Sequence, residues 1–347
     1  MMQKKLSEQG LRLLEEGQFE RASQILTLLI QRFPENASAH HMLGIIELEK
    51  GQLEAAYILV NTAIDIESNN ALFYNTLGNI EWHRKNIPLA EAAFLNALKY
   101  DPEKIEYKSN LANFYLSQNQ YAQAIDYFYL ILHTNPTHYL SIRGITLCYL
   151  YSNEYFIALE HVNEWVEAYS DSDEPYYYLG LCLYASNDIP AALAAYDKGL
   201  NLSPNNHEII CAIGDCYRAL GNLDLAESYM HKALTLDTHN ADIIYNMACI
   251  RLYKGDVNSA RDLFINALNL DCMYAEPLCG LGCIELSKGN TDLAIEYFVQ
   301  AQRMDHATIT PKLEKITKFI NLGRTKLNWQ EYQLILTPVP PAPAPYL

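Results

Sequence analysis

An all-α solenoid of helix-turn-helix repeats is the fold class this sequence predicts, and three columns of residues predict it. Alanine recurs every 34 residues, at Ala22, Ala56, Ala90, Ala124, Ala158, Ala192, Ala226, Ala260 and Ala294, with no insertion or deletion across nine units. Ahead of the alanines runs a second column of very small residues: Gly10, Gly44, Gly78, Ala112, Gly180, Gly214, Ala248 and Gly282, broken only by Thr146. Behind them, Pro34, Pro102, Pro136 and Pro204 fill one further position in four units. A fixed period of this size marks stacked supersecondary units, each too small to bury its apolar face alone.

Every unit divides into two helical runs. In 71–104, Leu77 and Ile80 carry the first run, and Leu89, Ala93 and Ala97 the second, all at helical spacing. Turns such as Lys50-Gly51-Gln52 and Leu220-Gly221-Asn222 separate the runs. Small residues in the Gly and Ala columns let the two antiparallel helices approach, and the late proline stops the second helix before the next unit. The predicted units are 3–36, 37–70, 71–104, 105–138, 139–172, 173–206, 207–240, 241–274 and 275–308. After them, Thr310-Pro311 opens a further helical pattern over 309–336, expected to be a capping helix with Lys312, Lys315 and Lys318 exposed. The Pro-rich segment 337–347 is expected to be a disordered, polyproline-type tail, either a ligand for another domain, an occupant of the groove or a solvated end.

Composition narrows the function classes. At about 150 residues per domain, 347 residues suggest two domains, a count that a repeat array overrides. The chain is half apolar and one-fifth charged, a globular balance. It has no apolar run of membrane-spanning length, and Met1-Met2-Gln3-Lys4-Lys5 does not begin a secretory signal. A net charge of −16 argues against nucleic-acid binding and against anionic membrane surfaces. Residues 309–347 carry five basic against two acidic side chains, so that this positive end follows a strongly negative body. The expected location is the cytoplasm, with the eight cysteines as reduced thiols.

The columns resemble the tetratricopeptide repeat family over residues 3–308. Leu43-Gly44, Leu77-Gly78, Leu179-Gly180 and Leu281-Gly282 are similar to its Leu-Gly signature, and Tyr115, Tyr149 and Tyr217 match its following aromatic. Ala90-Phe94, Ala124-Phe128, Ala260-Phe264 and Ala294-Phe298 keep its Ala-x3-Phe step. The resemblance implies a right-handed α-α superhelix whose first helices line a concave groove. The fifth unit departs from the pattern, with Thr146 in the small column and Trp165 at a normally modest position; it reads either as a hinge or as a locally larger core.

Catalytic motifs are missing: there is no phosphate-cradling Gly loop, no His-Glu-x-x-His helix and no Gly-x-Ser-x-Gly elbow, and no cofactor is expected. Cys148, Cys182 and Cys216 share one column with Ile46, Ile80, Phe114, Ile250 and Ile284, and so read as core residues. Cys249, Cys279 and Cys283 would face the groove in the family geometry, but they have no fourth ligand and read as small groove residues, not as a metal site.

By family geometry the groove candidates are Asn75, Asn79, Asn110, Asn113 and Arg143, followed by Tyr151, Tyr177, Tyr184, Asp215, Arg218, Tyr245 and Tyr253. Asparagine offers both donor and acceptor to an extended peptide backbone, and tyrosine offers area with a polar tip. Asn79 and Asn110 match two positions of the chaperone-tail clamp of this family. Asn75, Leu140 and Gly144 stand where its basic residues belong, so that ligand is not expected. Acidic residues at Glu106, Glu174, Glu208, Asp242 and Glu276 fall at helix starts, where the dipole favours them. The expected function is a non-catalytic scaffold or adaptor gripping an extended or helical protein segment of basic or mixed charge. The alternative is a cytoplasmic chaperone for secreted or membrane-associated clients.

Overall fold

The computed structural model describes residues 2–305, 309, 310, 312–314, 316, 317 and 336. The Pro-rich tail 337–347, and with it Lys315 and Lys318, lies outside the described residues. The chain divides into two compact units, Met1–Glu154 and Tyr155–Leu347.

In the first unit the helices are α1 (Met2–Glu15), α2 (Phe19–Arg32), α3 (Ala37–Glu49), α4 (Leu53–Ile66), α5 (Ala71–His83), α6 (Ile87–Tyr100), α7 (Ile105–Ser117), α8 (Tyr121–Thr134) and α9 (Tyr139–Tyr151). In the second they are α10 (Tyr155–Ala168), α11 (Asp173–Ala185), α12 (Ile189–Leu202), α13 (His207–Ala219), α14 (Leu223–Leu236), α15 (Ala241–Tyr253), α16 (Val257–Leu270), α17 (Glu276–Ser287) and α18 (Thr291–Met304). The described residues contain no strand. The helices pair off on the 34-residue period as the sequence predicts, and the boundary between the units falls between the two helices of the fifth repeat.

Local chemistry sets the helix ends. Asn36, Asn206 and Asn240 cap α3, α13 and α15, each side-chain oxygen accepting from the backbone N–H three residues on at 2.9–3.1 Å. The turn inside each repeat needs one left-handed residue, always at the fifteenth place. Gly17, Gly51, Gly221, Gly255 and Gly289 supply it, as do Asn119, Asn153 and Asn187, the residue types that tolerate positive φ best. Lys85 takes the same conformation at φ 59° with no such tolerance.

Packing inside the repeats turns on one exchange of volume. In repeats 1, 2, 3, 6, 7 and 9 the residue at the twenty-fourth place points at the small-column glycine of its own first helix. A Cβ on Gly78 would come within 2.6 Å of the Phe94 ring, and one on Gly180 within 2.3 Å of Tyr196. Repeats 4 and 8 keep a phenylalanine there, yet have Ala112 and Ala248 in the small column. Their rings find room in the next repeat: a Cβ on Gly144 would lie 2.3 Å from Phe128, and one on Gly280 would lie 2.4 Å from Phe264.

The fifth repeat's departures are both absorbed by packing. Thr146 is fully buried, its hydroxyl donating to the Ile142 carbonyl at 3.0 Å. Trp165 is fully buried and stacks on Tyr178 with ring centres 5.4 Å apart, so its bulk fills a larger local core.

Within each unit the first helices of successive repeats meet: α1 with α3, α3 with α5, α5 with α7 and α7 with α9 in the first, and α11 with α13, α13 with α15 and α15 with α17 in the second. Successive second helices make at most marginal contact among the described residues. First helices that converge while second helices spread give each unit an inner face built from first helices.

Candidate functional site

The inner face of the first unit is organised by a polar ladder. Asn110 Nδ2 donates to Asn75 Oδ1 at 2.9 Å, joining α7 to α5. One repeat earlier, the His41 Nε2 and Thr76 Oγ1 lie 2.8 Å apart, joining α3 to α5. Both links run from the fifth place of one repeat to the sixth of the next, where converging helices bring the two positions together. His41 is 3% exposed and packs on the Phe73 ring, and burial lowers its pKa to about 4, so it is neutral at physiological pH.

This geometry sorts the asparagines. Asn75 is 3% exposed and its oxygen is occupied by Asn110, so it serves the array itself. Asn79 and Asn113, at the ninth place of repeats 3 and 4, are half-buried and make no side-chain hydrogen bond among the described residues. They remain available as donors and acceptors on the inner face. Arg143 is half-buried on α9, and Tyr151 stacks on Tyr121 with ring centres 6.5 Å apart.

The second unit holds its candidates more tightly. Arg218 is 1% exposed; its Nε donates to Asp215 Oδ1 at 3.0 Å, and its guanidinium lies 5.9 Å from the centre of the Tyr253 ring. Asn246 Nδ2 reaches the other Asp215 oxygen at 3.5 Å. Burial raises the Asp215 carboxyl against the opposing pull of Arg218, and it pushes the Tyr184 hydroxyl up to about 12. Asp215, Tyr184 and Tyr253, all half-buried, thus form one polar cluster around the buried Arg218. Tyr177 is buried among Tyr178 and Tyr196. Tyr245 is 1% exposed, and its hydroxyl donates to the Leu336 carbonyl at 3.2 Å.

Two sequence expectations are overturned here. Lys312, expected in solvent, is 8% exposed, its Nζ 3.5 Å from Glu276 Oε1. The C-terminal segment brings it inward against the repeats, where an acidic residue awaits it. Cys249, Cys279 and Cys283, expected to be small residues facing an open groove, are at most 1% exposed. Burial pushes the Cys249 and Cys279 thiols up to about 12, which leaves them protonated and unreactive. Sequence reasoning missed the buried His41–Thr76 link, although the spacing of 35 residues that it shares with Asn75–Asn110 was there to be found.

Tetratricopeptide repeat sequence models match residues 13–80, 75–138, 173–206, 207–240 and 275–307. The chain belongs to the tetratricopeptide repeat family. Tetratricopeptide repeats are typically non-catalytic scaffolds. No curated protein matches the chain by sequence. Among solved structures, it is similar to a tetratricopeptide repeat protein from Parabacteroides merdae ATCC 43184, with 17% identity and a TM-score of 0.58, covering 71% of this chain and 97% of that one. It is also similar to a chain of the APC/C hetero-tetramer Cut9-Hcn1, with 17% identity and a TM-score of 0.52 over 77% of this chain. The match spans 52%, about half, of that Cut9-Hcn1 chain. At these identities the likeness is one of fold. No helix among the described residues is long and apolar enough to cross a membrane.

Proposed function

We propose that this tetratricopeptide repeat protein is a non-catalytic scaffold that holds an extended segment of a partner protein against the first helices of repeats 3 and 4. The observation that carries this reading is the pair Asn79 and Asn113: two half-buried amides, 34 residues apart and equivalent by repeat, with no side-chain partner among the described residues. An amide in that state can both donate to and accept from a peptide backbone without demanding a particular sequence. The ladder beside them fixes α5 and α7, so the two amides are held in place before a ligand arrives. The net charge of −16 favours a basic or mixed-charge segment, and the cytoplasm is the compartment that suits reduced thiols.

The test is partner capture from lysate by the wild-type chain and by the Asn79→Ala/Asn113→Ala variant, read by mass spectrometry, with thermal unfolding as the control for folding. A dominant partner lost from a variant that still melts like wild type supports the scaffold. A broad client set that survives the substitution removes the asparagines from the mechanism and favours a chaperone that holds unrelated clients.

A further inference from the structure

In the ninth repeat, α17 is buried on every side: ten consecutive residues, Pro277 to Leu286, are all buried. In repeats 3, 4 and 7 the first helix stays partly open at the ninth place, where Asn79, Asn113 and Asp215 are half-buried; Cys249 and Cys283 at the same place are 1% and 0% exposed, and Leu147 of repeat 5 is also 0% exposed. The cover is the chain's own C-terminal segment. Ile309, Ile316 and Leu336 are buried in one cluster with Tyr245, Cys249, Cys279 and Cys283. Tyr245 donates to the Leu336 carbonyl, and Lys312 pairs with Glu276, both side chains about nine-tenths buried.

The segment is additional to the repeat. Repeat 9 already has both of its helices, α17 packed on α18 as α15 is on α16. Ile309, Lys312 and Ile316 follow one another at helical spacing along one face, so the segment presents a lysine between two isoleucines. The floor beneath is complementary: small, apolar Ala248, Cys249, Cys279 and Cys283 leave room for a helix to lie close. Glu276 supplies the countercharge. Its equivalents Glu106, Glu208 and Asp242 are exposed and have no ion pair among the described residues.

We propose that the inner face of repeats 8 and 9 is a receptor for an amphipathic helix bearing a lysine between isoleucines, and that the chain's own stretch carrying Ile309, Lys312 and Ile316 is its ligand, supplied in cis. A partner segment of the same chemistry reaches this face only by displacing the cis segment. The tether gives the cis ligand an effective concentration on the order of millimolar, so a competitor must be matched to the site or present in excess. The inference does not rest on the role of Asn79 and Asn113.

The experiment uses the full chain and a fluorescein-labelled peptide of residues 305–336, in wild-type form and with K312E. Glu276→Lys in the chain sets two lysines against each other and expels the cis segment. This chain should bind the K312E peptide at least about tenfold more tightly than the wild-type peptide, because the opposite charge now lies on the peptide. The doubly reversed chain, E276K/K312E, restores the cis pair and should bind both peptides as weakly as wild type does. If E276K does not fold, Ile309→Ala/Ile316→Ala changes only the segment and leaves the floor intact. That chain should bind the wild-type peptide at least about tenfold more tightly than the wild-type chain does. A folded E276K chain that binds neither peptide, or both equally, overturns the proposal. So does loss of folding in both variants, which would make the segment an integral part of the fold.

Discussion

Asn75 and Asn110 are bonded to each other across 2.9 Å, and this bond turns two residues that look like ligand contacts into part of the framework. The amide that a peptide would need is already committed. Removing Asn110 alone therefore strands a buried oxygen. Asn110→Ala is expected to cost about 1–3 kcal/mol in urea unfolding, whereas Asn75→Leu/Asn110→Leu, which removes both polar groups, should cost markedly less. Equal costs would mean that the bond does not hold α5 to α7.

His41 makes the same link one repeat earlier, and it carries a pH signature. Its folded-state pKa is about 4, below the ordinary 6.5, so between these values the unfolded chain binds a proton that the folded chain refuses. Its contribution is fully present above pH 6.5 and is lost as the pH falls toward 4. At about 1.4 kcal/mol per pH unit, roughly 2 kcal/mol should be gone by pH 5. His41→Gln keeps a partner for Thr76 and should flatten this part of the stability–pH curve. The comparison is between urea midpoints of both proteins at pH 7 and pH 5; parallel losses would exclude His41 as the cause.

Phe128 and Gly144 occupy a shared volume. Gly144→Ala places a methyl 2.3 Å from a fully buried ring and is expected to destabilise by about 1–3 kcal/mol. In the background of Phe128→Leu the same methyl should cost much less, giving a coupling energy that a double-mutant cycle reads directly. Additive costs would show that the ring yields freely.

Lys85 is the strained member of the turn column, at φ 59°. Lys85→Gly relieves the left-handed penalty of about 1–2 kcal/mol while adding flexibility to the unfolded chain, for a net gain of about 0.5–1 kcal/mol. A raised urea midpoint with unchanged m-value checks it. An unchanged or lowered midpoint would show that the Lys85 turn holds no recoverable strain.

The pairing of the helices and the Gly-containing turns between them could be read from the sequence because both follow the 34-residue period. Gly51 and Asn119 announce their turn by residue type; Lys85 does not, since only its neighbours' positions force its backbone. The Asn75–Asn110 bond was hidden for a different reason. Family geometry places both residues on the inner face but says nothing of how far successive first helices converge, and convergence is what makes the two side chains meet. The cover over repeats 8 and 9 did leave a trace, in Pro277-Leu278-Cys279-Gly280-Leu281-Gly282-Cys283-Ile284, which is apolar all round. A helix of that kind asks for burial on every face, and its groove side could not have been meant for water.

The Phe128–Gly144 and Phe264–Gly280 pairings also bear on how such an array can be rearranged. Repeat 3 houses Phe94 with its own Gly78 and brings everything it needs wherever it is copied. Repeats 4 and 8 do not. Duplicated in tandem, each would set Asn110 or Asn246 where its phenylalanine requires a glycine. The repeats are alike in outline but not interchangeable, and recombination at the 34-residue seam would be tolerated at some joints and rejected at these two.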